Sequence, residues 1–342
     1  MAECVRVSPM GGFYAPPSPT IVVANVAAMS TVHVLGNPRA SASGATTIRK
    51  VVSVLRVGGA DPVVLAATSR AEAAASMQAA VRAGARRLVV VGGDGLVHLA
   101  VQATAGTDVV LGIVPFGTGN DFARALGIHD LALAHAAAHA LEPPIGFDAM
   151  RTTHGWAVSV ATMGFSATVN ARANDLRWPR GSARYTIATL LEIPRLRAVP
   201  LEITLDGEQS QHDVSLVAIA NTAYFGGGMA ICPDADPHDG KLDIAIIGSV
   251  SRTTLLRVFP RVFRGTHVRH PAVTMLRGTH LHLTRRDRDP SSALRGDGEP
   301  LGTLPVDIEL VPGALHIAGG AGTADTGGGA ATADTAGGAH VP

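Results

Sequence analysis

The chain has 342 residues, of which 46% are hydrophobic and 16% are charged, and its 28 basic and 27 acidic side chains leave a formal net charge of +1. This balance excludes a general nucleic-acid-binding protein, which would carry a basic excess, and the apolar content excludes a disordered polyelectrolyte. Two cysteines are too few for a disulfide framework and fit a reducing compartment. At about 100–200 residues per domain, the length predicts two domains.

No apolar stretch reaches the roughly 18–20 residues that a membrane-spanning helix needs. The apolar run at residues 21–29 is interrupted by Asn25 and has only Arg6 as a basic residue before it, which makes a signal peptide a poor interpretation. We therefore expect a cytoplasmic protein, with peripheral contact to the inner face of the membrane left open. The sequence carries no signal for an oligomeric state.

Residues 1–30 are expected to form an irregular extension, and residues 31–148 a first domain in which short apolar runs alternate with helical patterns. Strands are predicted at Thr31–Gly36, Val63–Ala67, Arg87–Gly92 and Val109–Val114. One helix face is marked by Ile48, Val51, Val52 and Leu55, and a second helix is predicted at Ala71–Arg82. This alternation predicts a Rossmann-like α/β domain with a parallel sheet, which binds ligands at the carboxyl ends of its strands.

Residues 149–317 show the period-2 alternation of strands, and residues 318–342 are a Gly/Ala-rich tail that we expect to be disordered. Strands are predicted at Trp156–Ala161, Leu201–Leu205, Val214–Ala220, Leu242–Ile247, His280–Thr284 and Val306–Val311. Two helical stretches, Ser182–Ile193 and Thr253–Phe263, interrupt them. The pattern predicts an antiparallel β-sandwich domain.

Two glycine-rich loops follow neighbouring predicted strands. The third strand runs into Gly92-Gly93-Asp94-Gly95-Leu96, and the fourth is followed by Gly117-Thr118-Gly119-Asn120-Asp121. Glycines let the backbone approach a polyphosphate, and a helix that starts there adds its positive end. Taken alone, the first loop has a simpler interpretation as a glycine turn. The second loop, taken alone, has a simpler interpretation as a helix start capped by Asn120 or Asp121.

Two acidic segments in the second half are also candidates. Asp234, Asp236 and Asp239 lie in a turn-rich stretch, where carboxylates are equally typical of turns and of Mg²⁺ ligands. Asp297-Gly298-Glu299 lies near the C-terminus. The same tripeptide at residues 206–208 is interpreted as a hairpin turn, which commonly uses Asp-Gly.

Taken together and in this order, these strings resemble the diacylglycerol kinase catalytic family, bacterial lipid kinases that are also similar to sphingosine kinases. The resemblance covers residues 32–317, and residues 115–124 and 226–243 are its most specific parts. It implies ATP- and Mg²⁺-dependent phosphorylation of a hydroxyl of diacylglycerol or a related lipid, such as a sphingoid base or ceramide. It places the active site in the cleft between the α/β domain and the β-sandwich.

The resemblance also implies roles for individual residues. It assigns nucleotide contacts to Asn37, Pro38, Thr68, Gly92, Gly93, Asp94, Gly95, Leu96, Gly117, Thr118, Gly119, Asn120 and Asp121. It places a Mg²⁺-linked network at Asp94, Asp121 and Asp148, and a metal site at Asp239 with the backbone carbonyls of Asp236 and Lys241. Glu299 becomes the proton acceptor, with Asp297 as the alternative base. Leu96 and Leu99 depart from the family, since many members have Thr and Glu there.

Three further interpretations stay open at this point. The stretch Ser251–His270 has five arginines and no acid, so it is able to lie on anionic lipid at a membrane surface, or simply to pack on its own domain. A kinase of NAD or of a sugar phosphate would share the Gly-Gly-Asp-Gly turn. A non-catalytic lipid- or nucleotide-binding protein is suggested by Leu96 and Leu99. The strings at residues 118–122 and 297–299 favour the lipid kinase.

Overall fold

The computed structural model describes residues 30–36, 44–164, 198–287 and 293–319, together with residues 169, 172, 175–176, 187–188 and 191–192. The predicted extension apart from Ser30, the predicted tail beyond Gly319, the turn at Asn37 and Pro38, and most of the predicted helix Ser182–Ile193 lie outside the described residues. No helix in the described part of the chain is long and apolar enough to cross a membrane.

The first half of the chain forms an α/β domain, as predicted. Its elements are β1 (Ser30–Gly36), α1 (Gly44–Val57), β2 (Ala60–Val64), α2 (Arg70–Arg82), β3 (Arg87–Gly92), α3 (Asp94–Thr104), β4 (Val110–Pro115), α4 (Asp121–Ala125) and α5 (Leu133–His139). The strands are parallel in the order β2-β1-β3-β4. The second strand begins earlier than predicted because Pro62 is tolerated on this edge strand.

Helices cover both faces of this sheet, which explains the uninterrupted apolar run of β3. Leu88 and Val90 lie in the core with α2 and α3, whereas Val89 and Val91 lie in the core with α1 and α5. A strand that is buried on both faces has no polar positions to alternate with. The predicted apolar face of α1 is confirmed, since Ile48, Val51, Val52 and Leu55 are all buried.

The second half forms the predicted antiparallel β-sandwich. Its elements are β5 (Pro144–Thr152), β6 (Gly155–Ala157), β7 (Val160–Gly164), β8 (Val199–Leu205), β9 (Glu208–Ala220), β10 (Tyr224–Phe225), β11 (Met229–Ala230), β12 (Leu242–Gly248), α6 (Arg252–Val262), a 3₁₀ turn (Thr266–Arg269), β13 (Val273–Gly278), β14 (His280–Arg285), β15 (Ala293–Gly296), β16 (Glu299–Thr303) and β17 (Val306–Ala318). Strand β9 pairs with β8 through its first half and with β7 and β12 through its second half, which joins the layers.

The sheet around β9 is apolar on both faces. Val217 and Ile219 lie in the sandwich core, and Leu216 and Ala218 lie in a second core that includes Val262 of α6. The helix α6 therefore covers the outer face of this sheet. It begins at Ser251, whose side chain accepts a hydrogen bond from the Thr254 amide, and it contains Pro260.

Two strands run through both domains. Residues 308–311 of β17 pair with β5 inside the sandwich, while His316 and Ile317 pair in parallel with β4 of the first sheet. The register shifts between Val311 and Leu315. The sequence boundary at residue 148 thus lies within β5, and the end of β17 belongs to the α/β sheet.

The Asp148 carboxylate fixes this crossing point. Its two oxygens accept the backbone N–H of Gly313 at 2.8 Å and of Gly240 at 2.9 Å. The Asp148 carbonyl oxygen accepts from Nδ2 of the fully buried Asn221 at 2.8 Å. One aspartate therefore holds together β5, the irregular part of β17 and the turn that precedes β12.

We expect Asp148→Ala to lower the free energy of unfolding by about 2–6 kcal/mol, because two backbone donors would lose their acceptor and each unsatisfied donor costs about 1–3 kcal/mol. Urea denaturation followed by circular dichroism measures this difference. Asp61→Ala, which removes an exposed acid on the edge strand, is the matched control. Equal stability of the two variants would contradict this role of Asp148.

Candidate active site

The two glycine loops meet at the carboxyl ends of β3 and β4. A Cβ atom on Gly117 would lie 2.5 Å from the Cα atom of Gly93, and one on Gly119 would lie 2.7 Å from Oδ2 of Asp94. The two backbones are therefore too close for any side chain. Helix α3 begins at Asp94, so the positive end of its dipole faces the same space.

These loops form the floor of a cleft of about 1590 Å³, measured out to its open mouth. Its walls come from the end of β1, the start of α2, the two loops and the Asp-Gly-Glu segment of the sandwich domain. The predicted nucleotide residues on the cleft are Thr68, Gly92, Gly93, Asp94, Gly95, Leu96, Gly117, Thr118, Gly119 and Asp121. Asn120 adopts a left-handed conformation and donates to the carbonyl oxygen of Gly117, which holds the second loop.

Three of the lining residues have side chains that contact other parts of the α/β domain. The Thr68 hydroxyl donates to Oε2 of Glu72 at 2.8 Å, at the start of α2. Leu96 and Leu99 line the cleft and pack against the core of the α/β domain. The cleft thus has an apolar wall at the two positions where the family resemblance leads one to expect polar groups.

Asp94 and Asp121 form a partly buried acidic pair next to the loops. Burial, together with the neighbouring Asp121 carboxylate, raises the pKa of Asp94 to about 6. Burial also raises the pKa of Asp121, although its oxygens accept the backbone N–H groups of Gly227 and Gly228 from the sandwich domain. The triple-glycine segment is thereby tied to the α/β domain.

Asp297 and Glu299 enter the cleft from a hairpin turn between β15 and β16. Asp297 and Gly298 both have positive φ angles, of 54° and 82°, as the two central residues of a type I′ turn do. The Asp297 carboxylate accepts from the amides of Val158 and Ser159, and its Oδ2 lies 3.2 Å from Nδ1 of His98. Its side chain is 5% exposed, against 27% for Glu299.

The other Asp-Gly-Glu copy shows what distinguishes the two turns. Asp206 and Gly207 adopt the same positive φ angles, but the Asp206 carboxylate accepts from Thr279 and His280. The interpretation of residues 206–208 as a hairpin turn is confirmed. The local geometry is shared, and only the position in the sandwich brings Asp297 and Glu299 to the cleft.

Arg70 is a residue that the sequence analysis missed. Its Nη1 donates to Oε1 of Glu299 at 2.8 Å and links the first turn of α2 to the sandwich domain. Among the described residues that line the cleft, it is the only Arg, Lys or His. The sequence signal that could have identified Arg70 as a site residue was its position at the start of a helix that follows a strand.

Two further pockets lie next to one another beside the cleft. A middle pocket shares Asp94, Asp121 and Asp297 with the cleft and adds polar groups of Ser159 and Tyr224. Phe225 and Gly226 line both this pocket and a third one, of about 780 Å³ with its mouth, under α6. The third pocket is almost entirely apolar, with Leu216, Met229, Ile247, Leu255, Val258 and Phe259 among its walls.

In the predicted metal turn, the carboxylate of Asp239 contacts other groups of the protein. Oδ1 of Asp239 accepts from the Lys241 amide at 2.9 Å, and Oδ2 pairs with Arg277, whose Nε also lies 3.1 Å from Asp243. Asp236 accepts from the amide of His238 within the same turn. No group of three His, Cys, Asp or Glu side chains among the described residues is arranged to hold a metal ion. The Arg277 guanidinium thus contacts both Asp239 and Asp243.

Asp148 is likewise placed away from the acidic pair. Its oxygens are occupied by the backbone amides of Gly240 and Gly313, and it is not among the described residues that line the cleft. Its assignment to a Mg²⁺ network stays a prediction. Asp94 and Asp121 remain together in the cleft, and their carboxylate oxygens are of the type that Mg²⁺ prefers.

The chain matches two family models and several named relatives. The model of the diacylglycerol kinase catalytic domain matches residues 31–152, and that of the YegS C-terminal NAD kinase beta sandwich-like domain matches residues 159–319. A diacylglycerol kinase of Mycobacterium tuberculosis is 40% identical over 273 residues, which cover 78% of this chain and 87% of the relative. One of Bacillus subtilis is 26% identical over 236 residues, covering 67% and 76%.

The fold is also similar to that of a solved structure. The crystal structure of a diacylglycerol kinase from Bacillus anthracis superimposes with a TM-score of 0.66 at 20% sequence identity, and covers 85% of this chain and 97% of that one. At this identity the match shows the fold alone. It supports the arrangement of an α/β domain beside a β-sandwich.

We expect Asp94→Asn to stabilise the protein at pH 8 by up to about 3 kcal/mol, since one pKa unit corresponds to about 1.4 kcal/mol. A raised pKa in the folded state means that the folded protein binds the proton more tightly than the unfolded chain does, so stability falls as the pH rises from about 4 to 6. The gain should therefore shrink as the pH falls through 6. Thermal unfolding from pH 4 to 8 measures it, with Asp108→Asn as an exposed control. A pH-independent difference would contradict the raised pKa.

Proposed function

Since the chain belongs to the diacylglycerol kinase family of lipid kinases, we propose that it transfers the γ-phosphoryl group of ATP, in the presence of Mg²⁺, to a hydroxyl of diacylglycerol or a related lipid. The observation that carries this proposal is the adjacency of three spaces: the glycine-floored cleft, the acid-lined middle pocket and the apolar pocket under α6. A polyphosphate, a reacting hydroxyl and an acyl chain need these three environments in this order.

The cleft is suited to the nucleotide. Backbone N–H groups of a glycine loop and the start of α3 favour phosphate oxygens. The close contact of Gly93 with Gly117 brings the two glycine loops together on this cleft. Asp94 and Asp121 would hold Mg²⁺, which would neutralise charge on the phosphate oxygens when bound. Phosphoryl transfer depends on such positioning and charge neutralisation more than on covalent catalysis.

Glu299 is the proposed proton acceptor. The lipid hydroxyl gives its proton to the Glu299 carboxylate while its oxygen forms a bond to the γ-phosphorus, and the bond from phosphorus to the bridging oxygen of ADP breaks. Asp297 is less suited, because it is almost fully buried and is held by two backbone donors and His98. We assign to Asp297 the positioning of the turn that presents Glu299.

The apolar pocket favours a lipid over the soluble acceptors. NAD and sugar phosphates are polar throughout and gain nothing from a space walled by Leu216, Ile247 and Phe259. An acyl chain that leaves water for this space is stabilised by about 0.8 kcal/mol per buried methylene group. Phe225 lines both the apolar pocket and the acid-lined space, so the acyl chain of a bound lipid would join its head group there.

We expect labelled γ-phosphate from Mg-ATP to appear in one lipid of a vesicle panel that includes diacylglycerol, a sphingoid base and ceramide. Glu299→Gln should lower the rate by about 10²–10⁴-fold, the usual contribution of one general base. Glu208→Gln, in the other Asp-Gly-Glu turn, is the matched control and should keep the full rate.

The same assay separates the alternatives. Label in NAD or a sugar phosphate, with none in any lipid, would overturn the lipid proposal. Loss of turnover in Asp297→Asn with full turnover in Glu299→Gln would reverse the roles of the two acids. Nucleotide binding without transfer to any acceptor would favour a binding protein and direct attention to Leu96 and Leu99.

We further propose that α6 and the residues after it meet an anionic membrane at the cytoplasmic face. Leu256 and Phe263 are 45% and 42% exposed, which is unusual for large apolar side chains. The surrounding basic residues are also exposed: Arg252, Arg257, Arg261, Arg264 and Arg269. Because α6 roofs the apolar pocket, a membrane at this face would deliver the lipid next to its acyl-chain space.

We expect the protein to sediment with vesicles that contain phosphatidylglycerol at low salt. Arg257→Gln/Arg261→Gln should weaken this binding by roughly tenfold or more, since each basic residue near an anionic surface contributes about 1 kcal/mol. Leu256→Ser/Phe263→Ser should weaken it at high salt as well. Val57→Ser, which removes an exposed apolar side chain from α1, is the control. No sedimentation at low salt would exclude this contact.

A further inference from the structure

The ion pair between Arg70 and Glu299 lies on the cleft and joins its two sides. The two residues are 229 positions apart and belong to different domains, and their side chains meet above Gly95 of the first glycine loop. A Cβ atom on Gly95 would lie 3.3 Å from Oε1 of Glu299 and 3.5 Å from Nη1 of Arg70. The pair therefore occupies space beside the loop to which we assign the phosphates.

The charges around the cleft make Arg70 unusual. The described side chains that line it include four carboxylates, those of Asp94, Asp121, Asp297 and Glu299, and one cation, that of Arg70. A nucleoside triphosphate brings further negative charge into this space. Arginine is always charged and its planar fork matches phosphate oxygens, so Arg70 is the side chain to which a phosphate chain would be drawn.

The exposure of the pair permits it to open. The Arg70 side chain is 51% exposed, and ion pairs at such positions contribute little because water screens the two charges. A bound phosphate chain, which carries more charge than one carboxylate, would compete successfully for the guanidinium. While Arg70 stays on Glu299, however, it occupies an oxygen of the carboxylate that must accept the proton.

We propose that Arg70 exchanges partners during the reaction: it pairs with Glu299 while the cleft is empty and moves to the phosphates when a nucleotide binds. The exchange opens the Glu299 carboxylate to the acceptor hydroxyl only when a phosphoryl donor is present. This inference rests on the proposed function for the nucleotide and for Glu299. It does not depend on which lipid is the acceptor.

Calorimetric titration with ADP and a non-hydrolysable ATP analogue tests the phosphate contact without any lipid. Arg70→Gln should raise the Kd of both nucleotides by about tenfold or more, and Arg70→Lys, which keeps the charge but not the fork, should lie between. Adenosine binding should be the same in all three proteins. Arg82→Gln, at the exposed far end of α2, is the control for loss of one positive charge.

The exchange itself is tested by adding Glu299→Gln to this series. If the pair breaks on binding, Glu299→Gln should tighten nucleotide binding by about two- to fivefold more in the presence of Arg70 than in Arg70→Gln, because only the former has a pair to lose. Equal factors in the two backgrounds would mean that the pair persists, which overturns the exchange.

Two outcomes separate this inference from the proposed function. A wild-type protein that binds neither nucleotide would overturn the proposed function and this inference with it. A wild-type protein that binds them while Arg70→Gln binds equally well would overturn only the role of Arg70. The partner exchange would be supported by two results together. Arg70→Gln would lose nucleotide affinity about tenfold while keeping normal thermal stability, and Glu299→Gln would change affinity more when Arg70 is present than in Arg70→Gln.

Discussion

The geometry of the cleft depends on the point where β5 and β17 pass from one domain into the other. There the Asp148 carboxylate accepts hydrogen bonds from Gly240 and Gly313, and Asn221 donates to the carbonyl oxygen of Asp148. Because these groups are backbone amides and a buried side-chain amide, their loss would leave polar atoms without partners. The crossing therefore fixes how the sandwich presents its acidic hairpin turn to the glycine loops of the α/β domain.

The two domains contribute different groups to this cleft. The α/β domain contributes glycines whose backbones nearly touch, Gly93 and Gly117, together with the desolvated acid Asp94. The sandwich contributes Glu299, and Arg70 spans the two. Beyond these acids, the residues that line the space become apolar toward the pocket under α6. A polar phosphate donor and an apolar acceptor can thus meet at one place without either being taken through the environment of the other.

Much of this was accessible from sequence because the signals are local. The alternation of apolar runs predicted the parallel sheet, and a strand followed by glycines predicted both loops, since the carboxyl ends of parallel strands meet at one edge. The order of the motifs was sufficient for the family. The sequence was weaker where two local interpretations share one geometry: Asp206-Gly207 and Asp297-Gly298 form the same turn, and only one of them reaches the cleft.

The sequence by itself determined the two domain types and the glycine loops, because periodicity and turn chemistry act over a few residues. The resemblance of its motifs to a known family made Asp94, Asp121 and Glu299 candidates. Only the tertiary structure decided the partners of charged side chains. It paired Asp239 with Arg277, placed Asp148 at the domain crossing and paired Arg70 with Glu299. Electrostatic partners are set by distance in space, and distances between residues far apart in the chain exist only once the whole fold has brought them together.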